Sequence, residues 1–196
     1  MAVDFRQTRF LKSAASLADL PSDSGREVAF AGRSNSGKSS ALNVIAGVKG
    51  LARVSRTPGR TQLINFFTVV DAWRFVDLPG YGYAKVPDVV RASWNRLMED
   101  YFGSRQTLAG LVLVMDIRHP LTDFDSRMLA WVAPLNLPVL ALLNKADKVS
   151  RSAALGVQRS VAAELGGRAQ AQVFSALSGD GVERARQLIS GWYADG

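Results

Sequence analysis

The amino-acid sequence predicts an α/β domain with a mostly parallel six-stranded sheet, one antiparallel strand and helices on both faces. Apolar runs alternate with stretches of helical spacing, which is typical of a parallel sheet covered by helices. Two of these runs are separated only by Asp71 and Ala72, which predicts a hairpin and therefore the antiparallel strand. A glycine-rich loop follows the first run, where open α/β sheets bind their ligands.

The individual elements follow from two kinds of pattern. Short apolar runs bounded by polar or turn residues predict strands at residues 28–32, 63–70, 73–77, 110–116, 137–144 and 171–176. Apolar residues spaced three and four apart predict helices at residues 93–102, 123–132, 152–165 and 182–192, and the glycine-rich loop leads into another. Binding and catalytic residues are therefore expected in the loops that follow the strands.

The composition is that of an ordinary globular domain. The 196 residues are 47% hydrophobic and 21% charged, which fits one domain with a sizeable core. We expect residues 1–24 to be an N-terminal extension that packs on or leads into a single domain at residues 25–196. No apolar run is long enough to cross a bilayer, and the N-terminus lacks the apolar core of a signal peptide. The absence of Cys excludes disulfides and thiolate metal sites, and we expect a cytoplasmic protein.

The charge balance is basic. Lys and Arg number 24 against 17 acidic residues, which gives a net charge of +7. Such a domain is attracted to nucleic acid or ribonucleoprotein, although a basic surface that merely aids solubility is the alternative. No zinc-finger spacing or other recognisable nucleic-acid module occurs in the sequence.

The glycine-rich loop has the pattern of a phosphate-binding loop. Residues 32–39 read GRSNSGKS, which fits G-x-x-x-x-G-K-[ST] between a strand and a helix. The glycines let backbone N–H groups point at phosphate oxygens, Lys38 can reach the outer phosphates, and Ser39 can bind Mg²⁺. The residues predicted to contact the nucleotide here are Gly32, Arg33, Ser34, Asn35, Ser36, Gly37, Lys38, Ser39 and Ser40.

Residues 77–80, DLPG, end the third predicted strand. Asp77 is placed to hold the Mg²⁺ shell through water, and the Gly80 N–H can sense a terminal phosphate. Leu78 and Pro79 complete this predicted contact segment. The pattern is weak alone and becomes strong because it follows the phosphate-binding loop.

Residues 144–147, NKAD, predict the base that is bound. The Asp147 carboxylate can accept two hydrogen bonds from the N1–H and N2–H₂ edge of guanine, whereas adenine offers no such pair. Asn144 can bridge loops or bond the base, the Lys145 stem can lie along the purine, and Ala146 completes the segment. Residues 174–176, with Phe174, Ser175 and Ala176, are expected to supply a backbone N–H to the guanine carbonyl.

The loop between the first two motifs is basic and contains turn residues. In residues 55–67, SRTPGRTQLINFF, Thr57 and Thr61 both carry a hydroxyl that could reach Mg²⁺ when a terminal phosphate is present. We prefer Thr61, because it lies nearer the strand that anchors the loop. Gly59 and Arg60 are included in the nucleotide contacts, and the predicted Mg²⁺ ligands are Ser39, Thr61 and, through water, Asp77. A plain solvated basic loop is the alternative.

The set GRSNSGKS, TPGRTQ, DLPGYGYA and NKAD resembles the EngB family of bacterial GTPases, within the wider group that includes Era, EngA and TrmE. The resemblance covers nearly the whole chain, although the segment that usually reads TKAD in the family is NKAD here. It implies a Ras-like phosphate-loop GTPase domain that binds GTP or GDP with Mg²⁺. It also implies a role in assembly of the large ribosomal subunit, with its rRNA and proteins as partners, and in cell division and septation. We expect a monomer that binds neither DNA nor a membrane.

The residue that would orient the attacking water is unusual. Tyr81 stands where many such enzymes have Gln, and a phenol with a pKa near 10 is a poor base at neutral pH. We therefore interpret Tyr81 as a packing aromatic. By resemblance to TrmE-like GTPases, Asn35 is the candidate for holding K⁺ as an activating ion. Arg56 or Arg60 acting as an internal arginine finger is a weaker rival. The predicted catalytic set is Asn35, Lys38 and Thr61, with slow turnover without a partner.

Two other classes of function share parts of this pattern. A small-molecule kinase uses the same phosphate-binding loop but needs no guanine-reading segment. An adaptor that binds GTP with negligible hydrolysis would keep every motif.

Overall fold

The structure is a computed structural model that describes residues 3–52, 63–80 and 88–194, apart from the side chains of residues 88, 90 and 91. The strands are β1 Arg9–Ala14, β2 Arg26–Gly32, β3 Ile64–Val70, β4 Trp73–Asp77, β5 Leu108–Asp116, β6 Val139–Asn144 and β7 Gln170–Val173. The helices are α1 Lys38–Ala46, α2 Asp88–Ser104, α3 Asp123–Val132, α4 Arg151–Leu165 and α5 Val182–Ala194.

In the described part of the chain, the sheet has seven strands in the order β1-β3-β4-β2-β5-β6-β7. Strand β3 runs antiparallel to both of its neighbours, whereas the pairs formed by β2, β4, β5, β6 and β7 are parallel. The predicted hairpin and the single antiparallel direction are therefore confirmed.

The predicted number of six strands is wrong, because the N-terminal segment adds β1. This strand, RFLKSA, lies at the edge of the sheet and is exposed over its first three residues. It therefore lacks the apolar run from which the other strands were predicted. Its pairing with β3 makes the N-terminal segment part of the sheet.

Alternating side chains of the central strands fill two cores. On β2, Ala29 and Ala31 face the core covered by helices α2, α3 and α4, whereas Val28 and Phe30 face the core covered by α1 and α5. All four side chains are fully buried. The prediction of helices on both faces is therefore confirmed. No helix in the described ranges is long and apolar enough to cross a membrane.

A buried ionic cluster closes the amino end of the sheet. We call it the Glu27 cluster, and it consists of Glu27, Arg74, Tyr101 and Arg105. The Glu27 carboxylate is fully buried and accepts hydrogen bonds from Arg105 at 2.5 and 2.8 Å, from Arg74 at 3.1 Å and from Tyr101 at 3.3 Å. A carboxylate with two guanidinium partners can stay charged in the interior, whereas an unpaired one could not.

The Glu27 cluster also holds the segment that leads from β1 into β2. Arg105 donates to the Pro21 carbonyl at 3.0 Å, and Arg74 donates to the Ser24 carbonyl at 2.8 Å. Nothing in the sequence pattern indicated this cluster, because its members lie on separate elements and are polar residues at buried positions. It fixes the end of the sheet that lies opposite the strand ends carrying the motifs.

We expect Glu27→Ala to lower the free energy of unfolding by about 3–5 kcal/mol, because it leaves two guanidinium groups buried without their carboxylate. Urea unfolding monitored by circular dichroism measures this change. The matched control is Glu183→Ala, which removes an exposed partner of Arg186 and should cost at most about 1 kcal/mol. Equal losses in the two variants would contradict the structural role of the Glu27 cluster.

Candidate functional site

The loop between β2 and α1 has the backbone of a phosphate cradle. Asn35 and Gly37 adopt left-handed conformations, with φ of 67° and 92°, and the Ser36 N–H donates to the Arg33 carbonyl at 2.9 Å. At Gly32 there is no room for a side chain, since a Cβ would lie 2.6 Å from both the Ser36 hydroxyl and the Val114 carbonyl. The loop is therefore wound tightly against β5 before α1 begins at Lys38.

The loop also contains polar atoms that suit a phosphate ligand. The hydroxyls of Ser34 and Ser36 are buried and have no hydrogen-bond partner within the described chain. Buried hydroxyls of this kind are expected to pair with a bound group. The positive end of α1 lies at the same place, which favours an anion. The residues present therefore fit a phosphate chain.

Asp77 and Gly80 are brought to this loop by β4. The Lys38 ammonium donates to the Asp77 carboxylate, and both residues are buried. The Leu78 N–H bonds the Phe30 carbonyl at 3.0 Å, so the chain stays beside β2 as β4 ends. A Cβ on Gly80 would lie 4.0 Å from the Ser34 Cα, which places Gly80 against the phosphate-binding loop.

Ser39 and Asp77 supply oxygens of the kind that Mg²⁺ prefers. Ser39 lies in the first turn of α1, directly after Lys38, and carries a hydroxyl. Asp77 is the last residue of β4, and its carboxylate lies beside the same turn. Hydroxyl and carboxylate oxygens suit a hard cation, so the residues present fit a magnesium ion next to the phosphates.

Asn144 joins the phosphate-binding loop to the loop after β7. Its amide nitrogen donates to the Ser36 carbonyl at 2.8 Å, and its amide oxygen accepts from the Ala176 N–H at 3.1 Å. Only 2% of the residue is exposed. A Cβ on Gly37 would collide with the Asn144 amide, so the glycine permits the close approach as well as the left-handed turn.

Lys145 forms a second connection between the same regions. Its backbone is left-handed with φ of 66°, and its ammonium donates to the Asn35 carbonyl at 2.6 Å and to Asp116 at 2.9 Å. Arg118 donates to both oxygens of Asp116, at 2.9 and 2.7 Å. The Arg118 hydrogen bonds, followed by those of Lys145, hold the pKa of the Asp116 carboxyl well below its usual range despite its burial.

Asp147 is oriented by the neighbouring loop. The Ser175 hydroxyl donates to one oxygen of its carboxylate at 2.7 Å, and this hydrogen bond lowers the pKa of Asp147. The Lys148 ammonium lies 3.3 Å from the other oxygen. Ser175 is fully buried, and its hydroxyl also accepts the Ser178 N–H at 3.1 Å. Asp147 is therefore kept ionised and fixed in direction, as acceptance of two N–H groups from a base requires.

The structure brings most of the predicted site residues together at the carboxyl ends of the parallel strands. The phosphate-binding loop meets Asp77 and Gly80 on one side, and it meets the 144–147 and 174–176 segments on the other. Phe174 is buried in the core, and its carbonyl accepts the Ala146 N–H at 3.1 Å. The predicted contacts Gly59, Arg60 and Thr61 lie outside the described residues, as do Arg56, Thr57 and Tyr81.

The sequence alone did not indicate a role for the Ser175 hydroxyl. The available signal is a serine two residues after the end of β7. Asp116, which is held by Arg118, accepts the Lys145 ammonium and so braces the loop after β6. His119 is exposed, and its backbone N–H donates to the Asp116 carbonyl.

The strand order and the loops at the carboxyl ends of the parallel strands define a Ras-like phosphate-loop GTPase domain. The sequence model of a family described as "50S ribosome-binding GTPase" matches residues 27–145, more than half of the chain. Curated proteins named "Probable GTP-binding protein EngB" from Salmonella typhimurium strain LT2 and from Salmonella typhi are each 50% identical over 196 residues. Each alignment covers 98% of this chain and 93% of the relative. The chain belongs to the EngB family of GTP-binding proteins, which confirms the resemblance drawn from its motifs.

Solved structures agree on the fold. The crystal structure of a probable GTP-binding protein engB superposes with a TM-score of 0.69 at 22% identity, covering 87% of this chain and all of the other. A point variant of Era from Aquifex aeolicus, bound to GDP and AlF₄⁻, gives a TM-score of 0.66 at 22% identity. That alignment covers 85% of this chain and 56% of Era. At this identity the likeness concerns the fold alone.

We expect the Asp116 carboxylate to make stability depend on pH. Its folded-state pKa is lowered, so its contribution is present above the unfolded value near 3.8 and is lost as the pH falls toward the folded value. Between pH 5 and pH 3, wild type should lose about 1 kcal/mol more unfolding free energy than Asp116→Asn. Urea unfolding at several pH values measures the difference. Asp71→Asn, in the exposed β3–β4 turn, should follow wild type, and an identical slope for all three would exclude this role for Asp116.

Proposed function

We propose that the chain hydrolyses GTP with Mg²⁺ and acts as a conformational switch in assembly of the large ribosomal subunit. The observation that carries this proposal is the joining of three loops at one site. Asn144 and Lys145 bond the phosphate-binding loop to the loop of residues 144–147, which we call the base-reading loop. Lys38 bonds Asp77, at the start of the third loop. The family description as ribosome-binding and the net charge of +7 support a ribonucleoprotein partner.

In this proposal, the described residues bind and orient GTP by distinct contacts. Asp147 accepts the guanine N1–H and N2–H₂ groups, and the backbone N–H groups of the phosphate-binding loop bond the phosphates. Lys38 places its positive charge on the outer phosphates, where negative charge increases as the terminal P–O bond breaks. Water attacks the γ-phosphorus, the bond to the bridging oxygen breaks, and GDP and phosphate leave.

The Mg²⁺ site of the proposal uses Ser39 and Thr61 directly and Asp77 through water. When bound, the ion would neutralise charge on the β- and γ-phosphates. Gly80 would sense the γ-phosphate by its backbone N–H. Loss of that phosphate releases the loops around Thr61 and Gly80, and this change alters affinity for the partner.

Hydrolysis in this proposal depends on a group other than Tyr81. The Asn35 carbonyl is already bonded by Lys145, whereas the residue itself is exposed at the mouth of the loop. By resemblance to TrmE-like GTPases, we assign its side-chain oxygen as a ligand of an activating K⁺. Turnover is slow until the partner is bound. The proposal also includes a cytoplasmic monomer that binds neither DNA nor a membrane, with a role in cell division and septation.

Asp147→Asn should move nucleotide preference from guanine to xanthine. Ser175 holds one side-chain oxygen of Asp147, so an amide in its place can keep that bond and present N–H to the O2 carbonyl of xanthine. Competition by GDP and XDP against a fluorescent nucleotide measures the change. Asp180→Asn removes a carboxylate from the adjacent loop and should keep the guanine preference. Unchanged preference in Asp147→Asn would contradict the base assignment.

Binding to large ribosomal subunits should depend on the bound nucleotide. We expect wild type to co-sediment with purified large subunits in the presence of a non-hydrolysable GTP analogue and to be released with GDP. Lys38→Ala, which removes the phosphate contact, should bind equally with either nucleotide. Nucleotide-independent binding by wild type would contradict the switch.

The same particles distinguish a switch from an adaptor. GTP turnover should rise when large subunits are added, and it should be faster in KCl than in NaCl. Equal turnover in the two salts would exclude K⁺, and turnover that stays negligible with subunits would favour an adaptor. A small-molecule kinase is disfavoured because the chain belongs to a family of GTP-binding proteins.

A further inference from the structure

Exposed apolar side chains are concentrated in one short segment of the described chain. Across the described residues, the large exposed hydrophobic side chains are Phe10, Leu11, Leu17, Val89, Leu135, Leu155 and Leu177. Three of them lie within residues 10–17, on or directly after β1, and Phe10 is 57% exposed. Scattered single residues need no explanation, but a cluster on an outer strand indicates a contact surface.

This surface lies at the edge of the sheet. We call it the β1 edge, and it consists of Arg9, Phe10, Leu11 and Lys12. In the described part of the chain, β1 pairs only with β3. Phe10 packs edge-on against the buried Phe67, with ring centroids 5.9 Å apart, so its ring is supported from one side.

The cations of the β1 edge stand before and after Phe10 along the strand. Arg9 pairs with Thr68 and Lys12 with Phe66 in the ladder, so both lie on the sheet face opposite to Phe10. The register shifts between Phe10 and Lys12, which makes the strand irregular at Leu11. An aromatic ring and two cations are thereby presented along one outer strand.

The neighbouring carboxylates turn back onto their own backbone. Asp4 accepts the Arg6 N–H at 3.1 Å, and Asp19 accepts the Ser16 N–H and hydroxyl at 3.0 and 2.9 Å. These bonds hold both carboxylates in the turns that flank β1. The outward charge of the strand itself is positive.

We propose that the β1 edge binds single-stranded RNA of the large ribosomal subunit or its precursor, an inference that rests on the proposed function. The Phe10 ring can stack on a base of any sequence, and Arg9 and Lys12, which extend from the opposite face of the same outer strand, can reach the phosphates of an RNA strand that runs along the sheet edge. The irregular register and the charges of Arg9 and Lys12 hinder the addition of a partner strand, as on protected sheet edges. The observations therefore favour RNA over a peptide strand.

The β1 edge is connected to the nucleotide site through the sheet. The Ser13 hydroxyl donates to the Asn65 side chain at 2.7 Å, and Asn65 is paired with Asp77 between β3 and β4. Strand β3 begins at Ile64, three residues after Thr61 in the chain. RNA on β1 would thus bind the strand that pairs with β3, and β3 follows Thr61 in the chain.

The test compares two edges of the sheet in the full chain. The probe is a fluorescein-labelled single-stranded oligouridylate of about 15 nucleotides, longer than one aromatic platform requires. Phe10→Ala should weaken binding by about 5- to 100-fold, and Phe10→Tyr should keep it, because only the ring is needed. The double variant Arg9→Gln, Lys12→Gln should reduce the slope of log affinity against log salt by about 1.4.

The matched control is the double variant Arg151→Gln, Arg159→Gln. It changes net charge equally, but on α4, which packs on β7 at the opposite edge of the sheet. Because it removes two charges far from the β1 edge, it should leave the oligouridylate affinity within about twofold of the wild-type affinity. Equal losses in the two double variants, or no loss in Phe10→Ala, would overturn the proposal.

Intact large subunits separate RNA from protein partners. If Phe10→Ala weakened binding to subunits but not to the oligouridylate, the occupant would be a ribosomal protein and the proposal would be wrong. GDP affinity should be the same in all variants, since none of these residues lies at the nucleotide site. Failure of wild type to bind subunits with any nucleotide would count against the proposed function, whereas the oligouridylate comparison would still decide the β1 edge.

Discussion

The nucleotide site depends on the two hydrogen bonds of the Asn144 amide. One side chain supplies a donor to the phosphate-binding loop and an acceptor to the loop after β7, and it does so in a position closed to water. An unmet amide there would carry the full cost of a buried polar group, so both loops are held to one arrangement. Gly37 has to be glycine partly because the amide fills the space of a side chain. One residue at the end of β6 thus fixes the position of the phosphate-binding loop relative to the loop after β7.

Electrostatics strengthens the same arrangement. Asp116 receives Arg118 and Lys145, and the Lys145 ammonium continues to the Asn35 carbonyl. Because these bonds involve charged groups, they are shorter and stronger than neutral ones. The left-handed turn at Asn35 is stabilised at its carbonyl by a cation from the loop after β6. Charged hydrogen bonds therefore tie the loop after β6 to the phosphate-binding loop, and Asp77 and Gly80 lie against the phosphate-binding loop from β4.

The two ends of the sheet serve different purposes. At the amino end, the Glu27 cluster ties β2, β4 and the residue after α2 into a charged core that has no part in the ligand chemistry described above. At the carboxyl end, polar groups are left to be satisfied by a ligand, as the hydroxyls of Ser34 and Ser36, unpartnered within the described chain, show. A binding domain needs both ends, because the paired groups at the amino end stabilise the sheet while the unpaired hydroxyls at the carboxyl end can bond a ligand. Strand β1 extends this sheet beyond the part required for nucleotide binding.

The predictable part of the site is the part encoded in consecutive residues. The glycines of residues 32–39, the strand–loop–helix order and the NKAD segment specify local backbone shapes, and these were found where the motifs placed them. Strand β1 was missed because an edge strand buries little apolar surface and so has no alternating or continuous apolar pattern. The role of the Ser175 hydroxyl was missed because its partner, Asp147, lies 28 residues away in the chain.

The fold class, the order of the loops and the family can be read from the amino-acid sequence, because each of these depends on short-range periodicity and on motifs of a few residues. Which polar groups pair across the sheet is visible only in the folded chain. Lys145 reaches Asn35 over 110 positions and Arg105 reaches Glu27 over 78, and no local pattern specifies such partners. Those pairs form because the sheet brings distant strand ends together and buries them, where a polar group without a partner is too costly to keep.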